Sequence, residues 1–120
     1  MRVVEASNGA EALERARADR PDVILLDIMM PGVSGWEVAS KLLEDGATDQ
    51  IPIVFITART DVRDRLRAFE LGALEYITKP FDPTELAPTI TALLDQVDRG
   101  ERDGLLAEKL ETLQAELSGR

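Results

Sequence analysis

Three polar residues each close an apolar run. Asp27 follows Val23-Ile24-Leu25-Leu26, Thr57 ends Ile53-Val54-Phe55-Ile56, and Lys79 follows the run over residues 74–78. They lie 30 and 22 residues apart, so only a fold can unite them. A carboxylate, a hydroxyl and an ammonium on one edge form a coherent phosphoryl site. The carboxylate is a possible nucleophile, as in aspartyl-phosphate chemistry. The hydroxyl and the ammonium each bind a phosphoryl oxygen, and the ammonium does so with charge-assisted strength. Taken singly, each has a plainer reading: a loop or cap aspartate, a threonine chosen for β propensity, a solvated lysine. The three together, with their flanks, favour the phosphoryl reading.

The composition narrows the alternatives. The 120 residues contain no cysteine and no histidine. Disulfides, thiol catalysis, Cys-ligated zinc and iron–sulfur clusters are excluded, as are Ser-His-Asp machinery, His-ligated metals and phosphohistidine chemistry. Catalysis would have to rest on carboxylates, lysine, hydroxyls or a hard cation. The net charge of −9 repels nucleic acid as a whole, so no nucleic-acid partner is expected. No apolar run approaches the roughly 18 residues of a membrane span, and the first residues lack the layout of a signal peptide. The expectation is a cytoplasmic chain with no membrane partner. There is no glycine-rich dinucleotide loop and no P-loop, which weakens a metabolic enzyme.

The elements that must position the three residues alternate. Residues 2–6 read as a short strand, Ser7-Asn8-Gly9 as a turn, and 10–20 as a helix with Ala12, Leu13 and Ala16 inward, stopped at Pro21. Residues 23–26 form a continuous apolar run, as in a strand covered on both faces. Pro31-Gly32 and Gly35 mark a loop, and a helix over about 34–43 follows. A second buried strand covers 52–57. A helix capped by Thr60 or Asp61 runs to about 71 with Val62, Leu66 and Phe69 inward and Gly72 as its stop. Residues 74–78 form the last strand. Pro83 opens a helix to about 98 with Leu86, Ile90, Leu93 and Val97 inward. Gly100 and Gly104 interrupt before a final helix over 105–117. The alternation implies an α/β fold with a parallel sheet and helices on both faces, and its ligands bind at the C-terminal edge of the strands.

The flanks resemble the receiver domain of two-component response regulators. The likeness is carried by DVILLDIMMPGVSGWE at 22–37, IPIVFITA at 51–58 and GALEYITKPFDPTEL at 72–86, with EASNGAEAL at 5–13 similar to the family's second strand and helix. The resemblance implies a flavodoxin-like, doubly wound sheet of strand order 2-1-3-4-5, a receiver domain over 1–98 and a helical tail or linker over 99–120. It implies Asp27 as the phosphoacceptor. Thr57, with Ala58 beside it, matches the switch hydroxyl, Lys79 the lysine that pairs with the phosphoryl charge, and Tyr76 the aromatic switch position. Lys79-Pro80 matches a cis peptide, and Met29 the residue whose backbone carbonyl ligates Mg²⁺ beside Asp27. It further implies phosphorelay signalling from a histidine kinase, a non-enzymatic role, and an output protein reached through a surface over about 60–97. On that surface Arg59, Arg63, Arg65 and Arg67 have two readings, a face that reads an acidic partner or a solvated face relieved by Asp61, Asp64 and Glu70, and the solvated face is favoured.

The sequence departs from the family in one respect. The family's first strand, ending in two acidic residues, and its first helix have no counterpart. Mg²⁺ prefers near-octahedral oxygen ligands; with only Asp27 and the Met29 carbonyl, binding is expected to be poor and phosphotransfer weak or lost. The strand at 23–26 is expected to lose a ladder neighbour, since the absent strand would lie between it and residues 3–4, and the absent helix to leave an apolar patch on the face beside the helix over 83–98. The first account is an incomplete chain opening at an internal methionine. A degenerate receiver, acting as a phosphorylation-independent interaction or dimerisation module, is the alternative. In a third account Leu106, Leu110, Leu113 and Leu117, spaced 4-3-4, fill the gap. For the tail, a solvated linker ranks first, a homodimer helix second and a gap filler third.

Overall fold

The computed structural model describes residues 3–5, 8–29 and 34–118. Chain order gives β1 (Val3–Glu5), α1 (Gly9–Asp19), β2 (Val23–Leu26), α2 (Gly35–Glu44), β3 (Ile53–Thr57), α3 (Val62–Glu70), β4 (Glu75–Thr78), α4 (Pro83–Asp98) and α5 (Arg102–Ser118). Arg2 and Ala6 of the expected first strand, Ser7 of the turn and the Pro31-Gly32 loop marker lie outside the described residues.

Helix starts follow from side chains that satisfy free N–H groups. Asn8 accepts from the Glu11 N–H at 2.9 Å, Asp61 from Arg63 at 2.8 Å and Asp82 from Thr84 at 2.9 Å. Pro83 opens α4, where its missing N–H costs nothing. Gly100, at φ +78°, separates α4 from α5; a residue with a Cβ is strained there. Gly104 does not interrupt as expected. It sits inside α5, which begins at Arg102; one interior glycine weakens a helix by about 1 kcal/mol without ending it.

The four strands form one parallel sheet in the order β1-β2-β3-β4. Successive residues alternate between its faces. Ile24, Leu26 and Phe55 meet α1, α2 and α3 through Ala12, Ala16, Trp36, Val38, Leu42 and Phe69. Val23, Leu25, Val54 and Ile56 meet α4 through Ile90 and Leu93. All four residues of β2 and all five of β3 are buried, the environment of a parallel strand covered on both sides.

Two expectations are corrected here. β2 does not lose a ladder neighbour: β1 pairs with it directly, Val3 opposite Val23 and Glu5 opposite Leu25. An open ladder leaves backbone polar groups unpaired, and direct pairing satisfies them. The apolar patch expected beside α4 is not exposed among the described residues, because Ile90 and Leu93 of α4 pack on that face. Val23 and Leu25 are 0% and 6% exposed, and Val3 is the one large apolar side chain of the described sheet that is exposed. No helix among the described residues is long and apolar enough to cross a membrane.

The tail also differs from its first-ranked reading as a solvated linker. Leu106 and Leu110 are half-buried and Leu113 is buried against the cluster of α3 and the sheet. The position it takes is beside α3 and β4, not the space of an additional helix next to α4.

Candidate functional site

The site is built at the C-terminal rim of the sheet. β2 and β4 deliver Asp27 and Lys79 from positions 52 residues apart, and the Lys79 ammonium donates to Asp27 Oδ2 at 2.6 Å. Both side chains keep contact with solvent, at 27% for Asp27 and 45% for Lys79, so an incoming group can reach them. The second carboxylate oxygen, Oδ1, accepts from the Met29 N–H at 2.9 Å, which fixes the carboxylate plane. The Lys79 N–H donates to the Thr57 carbonyl at 2.8 Å, and the Lys79–Pro80 bond is cis.

Thr57 ends β3 in register with Thr78, with its side chain fully buried. Its hydroxyl accepts from the Arg59 N–H at 3.3 Å. Ala58 lies between them, exposed on the rim. Tyr76 is buried, its ring 6.4 Å from that of Phe55, and its hydroxyl donates to the Arg59 carbonyl at 2.8 Å. Burial pushes its pKa above the ordinary 10.0, and nearby Asp64 adds to the effect. The rim thus brings Asp27 and Lys79 into contact, while Thr57 and Tyr76 meet through the backbone of Arg59.

Two residues outside the expected set shape this rim. The sequence places Arg59 only within a basic face, solvated or reading an acidic partner. Its guanidinium pairs with Asp64 at 2.8 Å and lies 4.0 Å from the Met29 sulfur, and its main chain holds both Thr57 and Tyr76. The hydrogen bond that the guanidinium donates to Asp64 strengthens its hold on the proton. Of the other arginines, Arg63 and Arg67 are exposed and Arg65 is half-buried; Arg67 also stacks over Trp36 at 4.5 Å. Gly35 is the second residue. A Cβ there would lie 2.5 Å from the Asp27 carbonyl oxygen, so the first residue of α2 must be glycine for the chain after Asp27 to pass so close. Its place in the Ser34-Gly35-Trp36 segment was visible in the sequence; the contact was not.

Among the described residues the donor set does not fit Mg²⁺. Both Asp27 oxygens are already engaged. Among the described residues no group of three or more carboxylates could hold a metal ion, and one carboxylate with the Met29 carbonyl falls short of the oxygen shell that Mg²⁺ takes.

Comparison with known proteins completes the description. The profile of the response regulator receiver domain matches residues 1–91. The chain is 38% identical over 92 residues to protein PilH of Pseudomonas aeruginosa, covering 77% of this chain and 76% of PilH. It is 40% identical over 100 residues to the phosphate regulon transcriptional regulatory protein PhoB of the same organism, covering 83% of this chain and 44% of PhoB. Three further curated relatives are spanned over only 37% to 42% of their length. The chemotaxis protein CheY4 of Vibrio cholerae superposes with a TM-score of 0.67 at 31% identity, over 73% of each chain.

Proposed function

The chain belongs to the response regulator receiver domain family, and from that premise we propose that Asp27 accepts a phosphoryl group from a histidine kinase, with Lys79 as its charge partner. The family serves two-component signalling, and this chain is a receiver domain of that type. The observation that carries the residue assignment is the 2.6 Å contact between the ends of β2 and β4 at a solvent-accessible rim. In the proposed step an Asp27 oxygen attacks phosphorus, the bond to the donor nitrogen breaks, and its electron pair leaves with the donor imidazole. The site then carries about two negative charges in place of one. The Lys79 ammonium follows the new oxygens, and the Thr57 hydroxyl turns from the Arg59 N–H to donate to one of them. A shift at Arg59 passes to Tyr76 through the carbonyl that Tyr76 holds, which links the rim to an output surface over 60–97.

The family is generally Mg²⁺-dependent. The described residues do not supply that shell, so phosphoryl uptake by Asp27 is slow. The test is incubation with acetyl phosphate, read by intact mass and phosphate-affinity electrophoresis. One phosphoryl group is expected on the chain and none on Asp27→Asn. An unaltered chain that stays unlabelled after hours, with and without added Mg²⁺, rejects the assignment. The poor metal donor set favours a second reading in that event: a phosphorylation-independent interaction module, which sedimentation would reveal as a stable folded oligomer.

A further inference from the structure

The charges at the rim do not balance after the transfer. Lys79 matches Asp27 in the resting chain, whereas a phosphorylated residue carries about two negative charges. A divalent cation would make up the difference, and the described residues do not supply its shell. Arg59 brings a further positive charge to the same rim, and it touches the site at both ends. Its N–H donates to the Thr57 hydroxyl at 3.3 Å. Its side chain lies against Met29, whose N–H holds Asp27 Oδ1 at 2.9 Å.

The guanidinium is held on one side and loosely engaged on the other. Nε and Nη2 donate to Asp64 at 2.8 Å and 3.3 Å. Nη1 points to the Met29 sulfur at 4.0 Å, a weak acceptor. A phosphoryl oxygen is a far stronger one, and the planar fork of an arginine fits two of them at once. Release from Asp64 costs little. Arg59 is exposed, and an ion pair with a solvated member is weak. Asp64 lies in the first turn of α3, where the helix dipole favours a carboxylate left without its partner.

We propose that Arg59 turns its guanidinium from Asp64 onto the phosphoryl group at Asp27 and supplies there the positive charge that the donor set does not draw from a divalent cation. This rests on the reading of Asp27 as the phosphoacceptor. In the step itself an Asp27 oxygen forms the bond to phosphorus, the bond from phosphorus to the donor atom breaks, and its electron pair leaves with the donor. Arg59 exchanges no proton. Its N–H groups donate to the outer phosphoryl oxygens, where the charge collects, and Lys79 does the same from the other side. Asp64 holds the guanidinium back in the resting chain and so restrains uptake.

The test compares rates of labelling by acetyl phosphate in the full 120-residue chain and in Arg59→Ala, Arg59→Lys and Asp64→Asn, each checked for folding by circular dichroism, with EDTA and with added Mg²⁺. Arg59→Ala should label about tenfold more slowly, as for one lost charge-assisted hydrogen bond. Arg59→Lys should keep the charge but lose the fork, and fall between the two. Asp64→Asn should label about threefold faster, because the exposed pair no longer competes. The opposite signs are the decisive readout: a purely structural Arg59–Asp64 pair is broken by either substitution with the same result. Added Mg²⁺ should leave every rate unchanged. Arg59→Ala labelling at the unaltered rate, Asp64→Asn labelling no faster, or acceleration of the unaltered chain by Mg²⁺ overturns the proposal while the Asp27 reading stands. No label on the unaltered chain rejects both. Should Arg59→Ala not fold, the sign of the Asp64→Asn effect decides.

Discussion

Two lysine–carboxylate pairs invite comparison. Lys79–Asp27 closes at 2.6 Å with the side chains 45% and 27% exposed, and Lys109–Glu75 at 3.3 Å with 41% and 20%. Their exposure is nearly the same, so Coulomb attraction in water ranks neither high; each is worth about 0–1 kcal/mol. Their settings separate them. The first joins two strand ends on a rim of hydrogen-bonding groups, Thr57 below and the Met29 N–H beside it, where an arriving anion meets a free ammonium edge. The second lies over Phe69 and the leucines of α5, where its work is to register a helix already held by apolar contact. An ion pair's role is thus read from the atoms around it, not from its distance.

Three substitutions sharpen that contrast. The largest effect is expected at the second region. Leu113→Ala truncates the one buried side chain of α5 among the described residues and should lower stability by about 3 kcal/mol in urea denaturation, while labelling of Asp27 by acetyl phosphate stays unchanged. Loss of labelling together with stability would show that the two regions are not separable. Next is Gly35→Ala at the first region. Its Cβ would collide with the Asp27 main chain, costing about 2 kcal/mol and slowing labelling, with exchange over α5 unaffected. Normal labelling would mean that the rim tolerates the shift.

The smallest effect belongs to the residue between the regions. Tyr76→Phe removes one hydrogen bond, about 1 kcal/mol at neutral pH. It also changes the alkaline limb. Burial raises the Tyr76 pKa above 10.0, so the folded chain keeps a proton that the unfolded chain has lost. That stability is present below pH 10.0 and declines as pH rises beyond it. The variant should show a shallower decline in thermal melts above that pH, and an identical decline would remove Tyr76 as its source.

Local chemistry made much of this legible in advance. The run Val23-Ile24-Leu25-Leu26 announced a strand covered on both faces, and β2 is buried at every position. Asp61 capped a helix as expected, and Pro83 began one. Arg59 was hidden among four arginines, because what distinguishes it is its main chain, which holds Thr57 and Tyr76. Gly35 looked like a loop marker, because close approach of two backbones leaves no trace in one residue's type.

The sequence alone determined which segments become strands and helices, and that Asp27, Thr57 and Lys79 stand at strand ends, because periodicity, caps and breakers act over a few residues. Only the tertiary structure decided that β1 lies against β2, and that α5 lies on α3 and β4. Strand order is settled by which backbone edges find partners across the whole sheet, and a leucine stripe fits any apolar face until the competing faces are filled.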